Sequence, residues 1–100
     1  MQFDGFDWDE GNREKCLKHG ISWAALESLF AGEGVAVLPD TAHSEQEERF
    51  RAIGRTKSGR AIFVAFTLRH AGGKVLIRPI SARYMHAKEI IAYEKDNPDL

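Results

Sequence analysis

The stretch RFRAIGRTKSGRAIFVAFTLRHAGGKVLIRPISAR, residues 49–83, decides the fold. Its side chains alternate with a period of two, the period at which a strand turns successive residues to opposite faces. Arg49, Arg51, Ile53 and Arg55 alternate with Phe50, Ala52 and Gly54, and Ser58-Gly59 supplies a tight reversal into Arg60 to His70. There Ile62, Val64, Phe66 and Leu68 take one face, and Phe63, Ala65, Thr67 and Arg69 the other. Both faces are fairly apolar, which predicts a central strand. Gly72-Gly73 makes a second hairpin turn into Lys74 to Ala82, where Leu76, Arg78 and Ile80 oppose Val75, Ile77 and Ser81. Pro79 has no backbone N–H to give a neighbouring strand, which predicts an edge position or a bulge.

Upstream, Phe3, Phe6 and Trp8 are interrupted by Asp4, Asp7 and Asp9, a short first strand with Phe6 and Trp8 on one face. Asp9 is placed to cap a helix that ends at Lys18-His19-Gly20, where cationic groups oppose the negative end of the helix dipole. Cys16 and Leu17 are the large apolar residues of that helix, so its buried stripe is narrow. Ser22 caps a second helix, with Ile21 and Leu26 at staple positions. The spacing of Trp23, Leu26, Leu29 and Phe30 predicts that all four face the core, and Gly32 and Gly34 end the run. Val35 to Leu38 is a brief apolar segment stopped by Pro39-Asp40, and Thr41 to Glu48 reads as an acidic loop. After Arg83 the pattern turns helical, with Ala87, Ile90, Ile91 and Tyr93 at core-compatible spacing and Asn97-Pro98 as the stop. The expected order is β-α-α-β-β-β-β-α. This is a small α+β domain spanning 1–100, with an antiparallel meander, two N-terminal helices, one C-terminal helix, and helices on one face.

A chain of 100 residues with 43% hydrophobic content suffices for one core but hardly for two. No apolar stretch approaches the roughly 18 residues of a membrane span. Met1-Gln2-Phe3-Asp4 lacks the basic start and apolar run of a secretory signal, so a cytoplasmic protein without membrane contact is expected. The lone Cys16 forms no internal disulfide and reads as a packing or surface thiol.

Net charge is only −1, but its distribution is uneven. Residues 1–48 hold eleven acidic and three basic side chains, 49–88 hold ten basic and no acidic ones, and 89–100 hold four acidic and one basic. An acid-free basic segment of this length points to a polyanion, RNA above all. The competing reading is that the acidic half folds over the basic half and neutralises it.

On adjacent strands Arg49, Arg51, Arg69, Arg78 and Arg83 lie close enough to form one phosphate-tracking surface. Guanidinium forks match phosphate oxygens and stay charged at physiological pH, so they suit binding or transfer at phosphate. His19, His43, His70 and His86 are the side chains able to move protons near neutral pH; His43 and His70 read as solvent residues. No spacing of His, Cys, Asp or Glu resembles a metal site, and neither Gly32-Glu33-Gly34 nor Gly72-Gly73 forms a nucleotide-binding loop. Neither a metal nor a cofactor is expected.

Phe6-Asp7-Trp8-Asp9-Glu10, Asn12, Lys18-His19-Gly20-Ile21 and Phe30 recur in order with Arg49, Ile53-Gly54, Gly59, Thr67 and Arg69. Arg78, Ile80-Ser81-Ala82-Arg83, Glu89 and Tyr93 complete the series, and together they resemble the BrnT family over nearly the whole chain. The resemblance implies a toxin of a type II toxin-antitoxin pair with a RelE-like fold and a ribonuclease activity that inhibits translation. It also implies a BrnA-like antitoxin partner, through which alone operator DNA would be bound.

The leading expectation is a metal-independent endoribonuclease in which the 2′-hydroxyl attacks the neighbouring phosphorus, acting on RNA free or on the ribosome. Arg49, Arg69 and Arg83 are the candidates for phosphate and transition-state contacts, and Lys18, His19 or Tyr84 for proton transfer. Arg51, Arg55, Arg78 and Ser81 are the further RNA-binding candidates. The alternatives are a non-catalytic module that docks RNA or an acidic protein on the basic sheet face, and a basic segment that serves mainly as the antitoxin's docking surface.

Overall fold

The computed structural model describes residues 2–32, 35–40 and 47–96. The elements are β1 (Gly5–Phe6), α1 (Glu10–Leu17), α2 (Trp23–Ala31), β2 (Ala36–Pro39), β3 (Arg49–Arg55), β4 (Ala61–Ala71), β5 (Lys74–Tyr84) and α3 (Ala87–Asp96). The expected order of elements is the observed one. Residues 41–46 of the acidic loop, Gly34 and Asn97-Pro98 lie outside the described residues.

The five strands form one sheet in the order β1-β5-β4-β3-β2. Strands β2 to β5 are an antiparallel meander, whereas β1 runs parallel to β5, with Gly5 opposite Leu76 and Phe6 opposite Ile77. The two-residue turn between β4 and β5 needs positive φ at both central positions, and Gly72 and Gly73 adopt 57° and 78°.

One sheet face is covered by α1 and α2. Ala52, Ile62, Val64, Phe66, Ile77 and Ala82 point into a core closed by Cys16, Ile21, Leu26, Leu29 and Phe30. Phe66 is fully buried between Phe30, edge-on at 5.3 Å, and Phe50, stacked at 5.4 Å. Helix α2 sits close over β3, because a Cβ on Gly54 would lie 2.8 Å from Leu29 Cδ1.

Both helix starts follow the expected capping chemistry. Asp9 accepts from the Asn12 N–H while Asn12 Oδ1 accepts from the Asp9 N–H, and Ser22 Oγ accepts from the Ala25 N–H. The sparse apolar content of α1 is explained by Asn12, which is buried beside Cys16 and satisfies its amide within the fold.

Two expected core contributions are corrected. Trp23 is 48% exposed, because Leu26, Leu29 and Phe30 fill the buried stripe of α2 and leave the first-turn tryptophan at its margin; there Arg13 lies 5.6 Å from its ring. Helix α3 has no buried residue, and Ile91 is 67% exposed. Helices α1 and α2 already fill the core face, so of Ala87, Ile90, Ile91 and Tyr93 only Ile90 and Tyr93 become half-buried.

Candidate nucleic-acid interface

The face of the sheet turned away from α1 and α2 carries the arginines. Cross-strand pairing sets Arg49, Thr67 and Arg78 in one row, Arg51, Ala65 and Ser81 in the next, and Ile53, Phe63 and Arg83 in a third. Adjacent strands lie about 4.8 Å apart, so the ends of a row stand about 10 Å apart, over Thr67, Ala65 or Phe63.

A bulge in β5 makes these rows possible. Between Ala65 and Phe66 the partner steps from Ser81 to Pro79, which leaves Ile80 as an extra residue. Strict alternation puts Ser81 with Val75 and Ile77, on the side opposite Arg78. The extra residue shifts the parity, so that Arg78, Ser81 and Arg83 share the open face. Pro79 stands beside this bulge and also just beyond Leu76 and Ile77, the two residues of β5 that pair with β1, so both places expected for it are used.

Carboxylates of the chain already occupy most of these guanidinium groups. Arg78 reaches Asp7 at 3.2 Å and Asp9 at 2.5 Å, and Arg69 reaches Glu47 at 3.3 Å and Asp7 at 4.0 Å. Arg83 makes a two-pronged contact with Glu89 at 2.7 and 2.9 Å and lies over the Phe63 ring at 4.8 Å. Arg55 pairs with Glu94 and donates to the Gly59 carbonyl oxygen. The neutralisation expected as a competing reading is therefore present in part, and it comes from both acidic ends of the chain. These contacts shift the ionisations. The Arg78 fork holds the Asp9 carboxyl below its ordinary value, and the Arg83 fork, helped by the His86 N–H, holds Glu89 at about 2. Arg78 and Arg83 are raised by the same hydrogen bonds.

The proton-transfer candidates stand elsewhere. Tyr84 pairs with Ile62 and so belongs to the helix-side face, under the Arg60 guanidinium at 3.5 Å. It lines a cleft of about 1070 Å³ at the end of the sheet, together with Arg55, Lys57, Leu17 and Gly20. Lys18 and His19 occupy the exposed turn between those last two residues. The structure thus brings Arg49, Arg51, Arg69, Arg78, Ser81 and Arg83 onto one face, and places Tyr84 in the end cleft, which Lys18 and His19 do not line. Arg55 is shared between the two groups.

Sequence reasoning did not single out Asp7, Asp9, Glu47, Glu89 and Glu94, the carboxylates that hold the arginines among the described residues. Part of the signal was present. Phe6 and Trp8 face the core, and the same alternation turns Asp7 to the opposite face, where Arg78 emerges. Cys16, by contrast, is a packing thiol as expected: it is wholly buried, and burial pushes it up to about 11.

A small α+β domain whose open sheet face carries six arginines, at least four of which hold a carboxylate among the described residues, has the construction of a polyanion-handling protein. Comparison with protein families gives the particular group: residues 8–89 match the ribonuclease toxin BrnT of type II toxin-antitoxin systems, and the chain belongs to that family. Membership makes RNA its substrate class and an antitoxin its partner. A comparison with curated protein sequences gives no match. No helix among the described residues is long and apolar enough to cross a membrane.

Proposed function

We propose that the open face is the RNA site of a metal-independent endoribonuclease, and that residues 1–100 act as one toxin domain in the cytoplasm. The observation that carries this reading is the alignment of arginines in rows across β3, β4 and β5. In the reaction a 2′-hydroxyl attacks the adjacent phosphorus, its proton passes to a general base, and the 5′-oxygen leaves with a proton from a general acid. Arg49, Arg69 and Arg83 contact phosphates along the bound RNA, and those nearest the scissile phosphodiester offset the charge that grows on its oxygens. Arg51, Arg55, Arg78 and Ser81 hold the flanking strand.

Proton transfer falls to Tyr84, Lys18 or His19. Arg83 and Tyr84 are consecutive at the end of β5 on opposite faces, so RNA crossing that end meets a guanidinium on one side and a phenol on the other. Cleavage of RNA, free or on the ribosome, inhibits translation and growth until a BrnA-like antitoxin covers the toxin and links the pair to operator DNA. Acidic segments of such an antitoxin complement the arginine face.

Induced expression with mapping of RNA 5′ ends tests the proposal. Growth arrest with new 5′ ends is the expected result. Absence of both replaces it with a non-catalytic module that docks RNA or an acidic protein on the same face.

A further inference from the structure

We infer that Arg55 and Arg83 together form one phosphate-binding subsite for RNA at the α3 end of the open face, and that α3 is a displaceable cover whose glutamates stand in for phosphates there. This inference rests on the RNA-binding reading of the open face.

Three observations meet at this end of the sheet. Arg55 and Arg83 emerge there on the open face, two strands apart, with Arg83 laid over Phe63. Each is occupied by a glutamate of α3, Arg83 by Glu89 through both oxygens and Arg55 by Glu94. Helix α3 itself buries no residue. A two-pronged contact between arginine and carboxylate has the same donor geometry as one between arginine and phosphate, so Glu89 marks where a phosphate fits.

The attachment is of the kind that a polyanion displaces. Both pairs are open to solvent, with side chains between 36% and 47% exposed, and exposed ion pairs are weak and screened by salt. Apart from these pairs the ten-residue helix is held chiefly by Ile90 and Tyr93, which are only half-buried, with the Tyr93 hydroxyl the deepest point. Glu89 also accepts from the His86 N–H and so caps the helix, whereas Glu94 contacts the sheet through Arg55. Glu94 is therefore the residue whose removal frees the Arg55 half of the subsite while the helix start stays intact.

The test uses a 2′-O-methyl oligoribonucleotide, which binds but cannot be cleaved by 2′-hydroxyl attack, at fixed salt. Glu94→Gln is expected to bind it about threefold more tightly than the control Glu14→Gln, which removes the same charge from the exposed surface of α1. In an Arg55→Ala background the gain disappears. Hydrogen exchange gives a second measurement: the amides of α3 exchange faster when the oligonucleotide is added. If Glu94→Gln binds no better than Glu14→Gln, or if α3 is unchanged or protected by the oligonucleotide, the cover is overturned while the RNA-binding reading stands. If the unaltered chain shows no salt-sensitive binding at all, both fall together.

Discussion

Asn12 donates a hydrogen bond of 2.9 Å to the carbonyl oxygen of Pro79, 67 residues away along the chain. One side chain thereby ties the start of α1 to the bulge that aligns the arginines of β5. Its amide also donates to the Asp7 carbonyl oxygen, and its Oδ1 accepts from the Asp9 N–H at 2.7 Å. Asp7 and Asp9 are the two residues whose carboxylates hold Arg78. The cap, the bulge and the ion pairs thus share one buried anchor.

Asn12→Ala is expected to destabilise the fold by about 2 to 4 kcal/mol, because it takes the partner from the buried Pro79 carbonyl oxygen and from the half-buried Asp7 carbonyl oxygen and Asp9 N–H. Asn12→Asp keeps the acceptor for the Asp9 N–H but loses both donations, so it is expected to fall in the same range. The midpoint of urea unfolding measures both. A wild-type midpoint for Asn12→Asp contradicts the anchoring role.

Gly54 is a buried position where α2 meets the sheet. A Cβ there would stand 2.8 Å from Leu29 Cδ1 and 3.2 Å from Val35 Cγ2, so one of these side chains must move. Gly54→Ala is expected to cost about 1 to 3 kcal/mol, the usual range for overpacking, and thermal unfolding reads it directly. An unchanged or raised melting temperature would show that Leu29 shifts without penalty.

The Arg83–Glu89 contact predicts a pH signature. The folded carboxyl of Glu89 titrates at about 2, against an ordinary 4.5, chiefly because Arg83 hydrogen-bonds its ionised form. Its folded value lies below its unfolded one. The stabilisation from this contact is therefore complete above about pH 4.5, declines as pH falls, and is gone below about pH 2. The side-chain carboxyl carbon of Glu89, followed by NMR, should show this low midpoint and return toward 4.5 in Arg83→Ala. A midpoint near 4.5 in the unaltered chain contradicts the contact.

Much of this architecture was legible in the sequence because local chemistry and tertiary structure agree. Asp9 and Ser22 cap the helices they precede, the glycine turns close the hairpins, and the period of two in 49–83 names the strands. The pairing of β1 with β5 was not legible, since nothing local encodes a contact between Phe6 and Ile77. The exposure of α3 was hidden for a related reason. Its apolar spacing describes a helix face, but whether a face is buried depends on what the rest of the chain has already covered.

The arginine face was visible as a charge pattern but not as a geometry. Pro79 announced an irregularity, yet only an extra residue between Arg78 and Arg83 puts the two on one face, and an edge position alone would not have supplied it. The carboxylates that hold the arginines come from both ends of the chain, where composition showed only acidity. The proton-transfer candidates depended on the turn after α1 and the end of β5, whose relation appears only in three dimensions.

The central claim is that the arginines of the open face perform RNA cleavage, and the chemistry of the product ends tests it most directly. Purified chain incubated with RNA should yield fragments bearing 5′-hydroxyl and 2′,3′-cyclic phosphate ends, as attack by a 2′-hydroxyl requires. Arg69→Ala with Arg83→Ala should reduce cleavage by about 100-fold or more, in keeping with loss of transition-state charge stabilisation, while circular dichroism shows an unchanged fold. Fragments with 5′-phosphate ends, or undiminished cleavage by the folded double variant, contradict the account.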